Sequence, residues 1–300
     1  MKKLIYILSF CFALNSHAFT EVALTVDDLT RHGANAPNMS RLEIARTLLS
    51  ALKKHNVPSV YGFINAEKVK FFPSDIKILQ EWVEAGHPLG NHTWQHIDLN
   101  AVSLEEYFLD IEKNEPLLKD LSGLMDYMVF RYPYLHEGAN YEKRNGVREY
   151  LQKQGYKIAQ VTVDFGDYLW NAPYARCVTK NNSAAIEWLV KSYVKAAVER
   201  LNIAIKLSER IFGRNIKHIL LTHVGGLNAV ALEKLIEAYQ AHGVKFIDLH
   251  TAMADEAYTI NPNQLTTGGA NFLDQMARAN HVFYPYVPPL PKKELESICR

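Results

Sequence analysis

The chain of 300 residues has few cysteines, no excess of either charge and no long apolar run beyond its first eighteen residues. With 33 basic and 32 acidic residues, nothing favours binding to nucleic acid or to an anionic membrane surface. No later segment is apolar enough to predict a membrane span. The prolines and glycines form no linker between domains, and the His-Glu-x-x-His signature of many zinc peptidases is absent. One globular domain over residues 19–300 is therefore expected.

Residues 1–18 have the three regions of a secretory signal peptide. Lysines at 2–3 precede an apolar run over 4–14. The segment 16–18 then ends in the small residue Ala18, which is suited to cleavage before Phe19. We therefore expect a secreted or periplasmic protein.

Export also bears on the three cysteines. Cys11 belongs to the predicted signal peptide, so Cys177 and Cys299 remain. An oxidising compartment would allow these two to pair, which would fasten the C-terminal tail to the middle of the chain. On the chain-entropy model such a bridge contributes about 4 to 5 kcal/mol. Two free thiols are the alternative.

Short β-rich runs alternate with longer helical patterns. Runs of β-branched and aromatic residues predict strands at 21–26, 58–64, 127–131, 156–163, 218–222 and 244–249. Apolar residues at helical spacing, several after a serine N-cap, predict helices at 40–56, 74–85, 103–121, 141–154, 183–212 and 229–241. This alternation implies a parallel sheet.

Polar clusters lie where several of these strands end. They are Asp27-Asp28, Arg131-Tyr132-Pro133-Tyr134, Asp164 with Asp167, and His223. In a parallel barrel all strand ends open on one face, where active sites are built from the loops that follow the strands. We expect these segments to converge on one site.

His92 and His96 have the spacing of two metal ligands. At positions i and i+4 of a helical turn, both imidazoles would point to one side. A distant carboxylate, for which Asp27 and Asp28 are candidates, would complete a three-ligand site with an open position for water. An isolated His-x-x-x-His pair is also common without a metal, but with the acidic pair it indicates a metal-dependent hydrolase.

Five motifs occur in a fixed order on these elements. They are Thr25-Val26-Asp27-Asp28, His92-Thr93-Trp94-Gln95-His96, Arg131-Tyr132-Pro133-Tyr134, Asp164-Phe165-Gly166-Asp167 and Leu221-Thr222-His223. Together they resemble the motifs of polysaccharide deacetylases, the nodulation-protein-B (NodB) homology domain of carbohydrate esterase family 4, over 22–249. The resemblance implies a distorted (β/α) barrel of about seven parallel strands. One domain would cover 19–300, with a helical insertion near 171–214 and a C-terminal extension over 250–300.

The resemblance also implies roles for residues of the first three motifs. Asp28, His92 and His96 would hold a divalent metal, commonly Zn²⁺. Asp27 would be the general base, and Arg131 would orient it and keep it ionised.

The remaining implied roles concern the leaving group and the oxyanion. His223 would be the general acid that protonates the leaving amine, and an acid of the fourth motif would keep it charged. We assign that acid as Asp164, with Asp167 as a further member of the same loop. The backbone N–H of Tyr134, after Pro133, would help to hold the oxyanion.

The chain departs from the family pattern at the edges of the motifs. After Asp28 it continues Leu29-Thr30-Arg31-His32-Gly33, where Gly-Pro is usual, and Leu135 replaces a common glycine. The fourth motif has Tyr168 and Trp170 where an Asp-Trp pair is frequent. We therefore expect a substrate groove that differs from the most common one.

The function implied is a metal-dependent N-deacetylase that acts on N-acetylglucosamine residues of a glycan, with peptidoglycan as the first choice. Poly-N-acetylglucosamine or chitin oligomers are alternative substrates, and an O-acetyl esterase acting on xylan is an alternative enzyme. A glycan-binding protein without turnover is a further alternative. Nothing in the sequence indicates the oligomeric state.

Overall fold

The computed structural model describes residues 19–300, and the predicted signal peptide at 1–18 lies outside the described residues. A seven-stranded sheet forms the centre, and its strands pair in parallel throughout. The strands are β1 Thr20–Leu29, β2 Tyr61–Ile64, β3 Leu89–Asn91, β4 Val129–Phe130, β5 Lys157–Ile158, β6 His218–His223 and β7 Val244–Ile247.

The central strand β1 has neighbours on both edges. One edge pairs with β6 over 22–27, while the other is shared by β7 over 20–23 and by β2 from Thr25 onward. Beyond β5, Val163 makes a parallel bridge to Leu220 of β6, which brings the far end of the sheet back to β6. The predicted distorted (β/α) barrel of parallel strands is therefore confirmed.

Helices surround this sheet. They are α1 Arg41–Lys54, α2 Glu67–Phe71, α3 Ile76–Glu84, α4 Leu104–Ser122, α5 Tyr141–Gln154, α6 Asn171–Thr179, α7 Ser183–Phe212, α8 Gly226–Ala241, α9 Leu249–Met253, α10 Phe272–Ala279 and α11 Lys292–Ser297. Capping boxes at Ser40 and Ser103 begin α1 and α4, as the serine positions predicted. Within residues 19–300, no helix has the length and apolar character needed to cross a bilayer.

The structure differs from the secondary-structure expectations in several places. The strand β3 has no counterpart in the prediction because it is only three residues long and contains Gly90. A Cβ at Gly90 would lie 2.6 Å from a ring carbon of Phe63, so the glycine permits close packing of β3 against β2. Within the predicted insertion, a helix is expected only from residue 183, but residues 171–179 also form a helix, α6, which buries Cys177.

The C-terminal extension is fastened to α6. Cys177 and Cys299 form a disulfide with their Cα atoms 5.1 Å apart, which confirms the predicted pairing. Beside the disulfide, Arg176 donates to the backbone oxygens of Leu295 at 2.7 Å and Ile298 at 3.2 Å. The proline-rich stretch 284–291 has no regular structure, because proline has no backbone N–H to donate in a helix or sheet.

Candidate active site

A pocket of about 460 Å³ opens at the carboxyl end of the parallel strands. Its lining includes Asp27, Asp28, His92, His96, Tyr134, Asp164 and His223, which come from all five predicted motifs. Arg131 is only 1% exposed and contacts Asp27, which lines the pocket. The expected convergence of the strand-terminal segments is observed.

Both acidic side chains at the end of β1 face this pocket. Consecutive side chains of a regular strand point to opposite faces. The pairing of β1 with β2 changes register between Val26 and Leu29, and Asp28 has a φ of 63°. This irregularity directs the carboxylates of Asp27 and Asp28 into the same pocket, at the cost of a left-handed backbone conformation.

The two histidines of the second motif lie in the loop after β3, so the predicted helical turn is wrong. His96 has a φ of 57°, and the centroids of the His92 and His96 rings are 4.8 Å apart. The loop is held by Asp110 of α4, whose carbonyl oxygen accepts from the N–H of Trp94 and whose carboxylate accepts from that of Gln95, both at 2.9 Å. Loop hydrogen bonds, rather than helical periodicity, bring the imidazoles together.

Asp28, His92 and His96 each offer one ligand atom, and these atoms lie within 4.8 Å of one another. Nδ1 of His92 is 2.8 Å from the carbonyl oxygen of Arg131, so Nδ1–H donates there and Nε2 is left for a metal. Burial lowers the pKa of both His92 and His96 to about 3, which keeps them neutral at pH 7 as metal binding requires. Two neutral imidazoles and a carboxylate fit Zn²⁺ or another divalent transition metal.

The carboxylate of Asp28 has two further partners. Nζ of Lys68 is 2.9 Å from Oδ1, and Nδ1 of His32 is 2.7 Å from Oδ2. Burial alone would raise the pKa of Asp28, but the charge of Lys68 and the hydrogen bond from His32 lower it well below its ordinary value. Neither partner is among the residues predicted from the sequence. His32 stands four residues after Asp28 in the unusual first loop, whereas Lys68 carries no comparable signal.

Asp27 is paired with the buried guanidinium of Arg131. Nη1 of Arg131 lies 3.1 Å and 3.2 Å from the two carboxylate oxygens, and Nε donates to the carbonyl oxygen of Ala159 at 2.7 Å. Burial raises the pKa of Asp27, and the charge of Arg131 offsets part of this rise. The carboxylate is thus a stronger base than a solvated aspartate, in a fixed orientation.

His223, at the end of β6, is paired with Asp167 rather than with Asp164. Nδ1 of His223 is 2.7 Å from Oδ1 of Asp167, while Asp164 accepts from the backbone N–H of Gly166 at 2.8 Å. The predicted contact of Asp164 with His223 is therefore wrong, because a turn at Gly166, with a φ of 65°, brings the second aspartate of the motif to the ring. Burial opposes protonation, but the negative charge of Asp167 raises the pKa of His223 to about 9.

Tyr134 lies in a 3-10 turn, Pro133–Leu135, where its φ is 58°. Its backbone N–H donates to no acceptor within residues 19–300, and the residue lines the pocket. The C-terminal extension packs against this turn, since a Cβ on Gly269 would lie 2.7 Å from the carbonyl oxygen of Tyr134. Gly269 also lines the pocket, so the extension contributes to its wall.

The fold and the pocket define a (β/α) barrel with a carboxylate and imidazole centre at the carboxyl ends of its strands. Residues 15–159 match the family model for polysaccharide deacetylase. This match, over just under half of the chain, confirms the resemblance to the polysaccharide deacetylase family that the motifs predicted.

Similar proteins include a peptidoglycan-N-acetylglucosamine deacetylase of Bacillus cereus, which is 33% identical over 161 residues. That alignment covers 54% of this chain and 50% of the relative, so the chain spans half the length of the protein it matches.

Two solved structures show the same fold. The catalytic domain of a peptidoglycan N-acetylglucosamine deacetylase from Eubacterium rectale aligns with a TM-score of 0.52 and 20% identity, over 79% of this chain and 91% of that one. A pseudoenzyme of carbohydrate esterase family 4 from Bacillus anthracis aligns with a TM-score of 0.54 and 16% identity, over 78% of this chain and 66% of the other. A deacetylase domain and a pseudoenzyme are thus both built on this fold.

Proposed function

We propose that the protein is a metal-dependent deacetylase that removes acetyl groups from N-acetylglucosamine residues of a glycan, with peptidoglycan as the first candidate. The observation that carries this proposal is the set of side chains that one pocket brings together. It holds a three-residue ligand set, a carboxylate base fixed by an arginine, and a histidine whose pKa is raised by an aspartate. The B. cereus relative, of which the chain spans half, is a deacetylase of that polymer.

The ligand set and the base would cooperate in the attack of water on the acetyl group. A divalent metal held by Asp28, His92 and His96 would lower the pKa of water and polarise the acyl oxygen. Asp27, oriented by Arg131, would accept the proton that the attacking water loses. The backbone N–H of Tyr134 would donate to the acyl oxygen as negative charge develops on it.

His223 would complete the cleavage as the general acid. With its pKa near 9, it is protonated at neutral pH, and the bond to Asp167 at Nδ1 leaves Nε2–H for the leaving nitrogen. An amine leaves only when it is protonated, whereas an alcohol needs this help less. A histidine held in its charged form therefore favours cleavage of an N-acetyl group over cleavage of an O-acetyl ester.

Three alternative functions would require different features of the site. Poly-N-acetylglucosamine or chitin oligomers would use the same chemistry with a different groove, and an O-acetyl esterase acting on xylan would use the same metal and base. A glycan-binding protein without turnover would not need the complete set of groups. The presence of Asp27, Arg131, Asp167 and His223 together supports turnover.

We also propose that residues 19–300 act as one domain outside the cytoplasm. The disulfide between Cys177 and Cys299 supports export, because such bonds persist in oxidising compartments. The insertion 171–214 and the extension 250–300 are joined by that bond, which supports their belonging to one unit. Determining the N-terminal residue of protein recovered from outside the cytoplasm would test export, with cleavage before Phe19 as the expected result.

A panel of substrates tests the reaction itself. Purified residues 19–300, with zinc or with a chelator, would be incubated with N-acetylglucosamine oligomers, peptidoglycan fragments and acetylated xylan, and acetyl loss followed by mass spectrometry. We expect zinc-dependent loss from the N-acetylated glycans, greatest for peptidoglycan fragments. Loss from xylan alone would establish the esterase, and zinc binding without loss from any substrate would favour the binding-only protein.

A further inference from the structure

His32 lines the pocket although it belongs to none of the five motifs. Its Nδ1 is 2.7 Å from Oδ2 of Asp28, and its ring centroid is 4.4 Å from that of His223. The His32 side chain is 23% exposed, towards the pocket that it lines. It therefore stands between the metal-ligand carboxylate and the proposed general acid.

The loop that carries His32 is held from two sides. Arg41, at the start of α1, donates to the carbonyl oxygens of His32 at 3.0 Å and Gly33 at 2.8 Å. Asn171, at the start of α6, donates to those of His32 at 3.2 Å and Ala34 at 3.1 Å. Because α6 is itself fastened by the disulfide, the position of His32 is fixed by elements outside the motifs.

The two oxygens of Asp28 are in different surroundings. Oδ1 lies 3.6 Å from Nε2 of His96, so it faces the other ligands, and Lys68 contacts this same oxygen. Oδ2 faces His32 instead. A metal bound through Oδ1 would compete with Lys68 for that oxygen, whereas the hydrogen bond from His32 to Oδ2 would remain.

We propose that His32 is a positioning residue that holds Oδ2 of Asp28 and so presents Oδ1 to the metal. The proposal rests on the proposed function, since it takes Asp28, His92 and His96 as the ligand set. Groups that hydrogen-bond to a ligating carboxylate fix its orientation, and their removal typically lowers metal affinity about 10- to 100-fold. Through its ring, His32 also packs on His223, a contact that an aromatic replacement would retain.

Zinc affinity, measured by competition with a chromophoric chelator, tests this role without reference to catalysis. His32→Phe keeps a ring but removes the donor, and we expect zinc to bind about 10- to 100-fold more weakly. His32→Asn places an amide N–H where Nδ1–H was, so its affinity should stay within a few fold of the wild type. The matched control is His136→Phe, because His136 also lines the pocket but donates to Asp98, at 2.7 Å, rather than to a ligand. Its zinc affinity should not change.

The outcomes separate this proposal from the proposed function. A wild-type protein that binds neither zinc nor another divalent transition metal would overturn both, whereas zinc binding that is equally tight in the wild type and His32→Phe would overturn the role of His32 alone. If His32→Phe does not fold, ¹⁵N-histidine NMR of the wild type with and without zinc decides the question. We expect His32 to keep its Nδ1–H tautomer in both states, and direct ligation of zinc by His32 would contradict the proposal.

Discussion

Asp167 holds His223 through two hydrogen bonds, one at each carboxylate oxygen. Oδ1 is 2.7 Å from Nδ1 of the ring, and Oδ2 accepts from the backbone N–H of the same histidine, also at 2.7 Å. The first contact favours the charged ring, and the second fixes the carboxylate beneath it. This pair therefore sets both the orientation and the protonation state of the proposed general acid.

Replacing Asp167 with Asn tests that assignment through the pH profile. The pKa of His223 is raised to about 9, so wild-type activity should persist on the alkaline side until the pH passes that value. Without the negative charge the pKa falls, His223 loses its proton at lower pH, and the alkaline limb moves to lower pH. At pH 8 we expect a loss of about 10²-fold in kcat.

Asp164→Asn is the matched control, because Asp164 lies in the same loop but accepts from Gly166 instead of His223. Its alkaline limb should stay where it is in the wild type. A shift caused by Asp164→Asn and not by Asp167→Asn would contradict the assignment from the structure and restore the one made from the motif.

Asp27 and Asp28 are adjacent in sequence, but the variants Asp27→Asn and Asp28→Asn should lose activity for different reasons. Asp27 is outside the three-residue ligand set, so Asp27→Asn should retain zinc and lose about 10²- to 10⁴-fold in kcat. Asp28→Asn should lose zinc as well as activity. The two variants are distinguished by measuring zinc content, by mass spectrometry, and acetate release on the same samples. Unchanged activity in Asp27→Asn would exclude it as the base.

Arg131→Lys should shift the acidic limb of the pH profile. Arg131 offsets part of the rise that burial causes in the pKa of Asp27, and a lysine cannot reproduce its planar fork. The pKa of Asp27 should therefore rise further, so that the base becomes protonated, and activity is lost, at higher pH than in the wild type.

A buried arginine can also be important for folding alone, so this prediction needs a control. Arg144→Lys changes another buried arginine, which pairs with Glu137 at 3.1 Å outside the pocket. It should lower the melting temperature without moving the acidic limb. Equal shifts in the two variants would show that Arg131 acts only through stability.

The disulfide predicts a stability difference under reducing conditions. It joins residues 122 apart in sequence, and removal of a native disulfide typically costs about 2 to 5 kcal/mol. Urea unfolding with and without reductant should show a difference of this size, and Cys177→Ser should match the reduced wild type. Two free thiols in native protein, detected by intact mass after alkylation, would contradict the pairing.

Features with a local cause could be predicted from the sequence. Serine N-caps were predicted at the starts of α1 and α4, and Ser40 and Ser103 cap these helices in the structure. The helix α7 also has its predicted bounds, because its apolar spacing continues over Ser183–Phe212. The disulfide between Cys177 and Cys299 could be expected because it joins the two cysteines left after the predicted signal peptide.

Features that depend on tertiary contacts could not be predicted in this way. The spacing of His92 and His96 indicates a helix, yet hydrogen bonds to Asp110 of a later helix hold them in a loop. Which acid meets His223 depends on the turn at Gly166, not on the composition of the motif. The contact of His32 with Asp28 likewise depends on a loop held by Arg41 and by the distant Asn171.

The measurement that tests the central claim most directly is acetate release by purified residues 19–300 from an N-acetylglucosamine oligomer, before and after metal removal. We expect release that stops when a chelator removes the metal, returns when zinc is added back, and stays absent in Asp28→Asn under either condition. Release at the same rate in the chelated protein and in Asp28→Asn would contradict a metal-dependent deacetylase built on Asp28, His92 and His96.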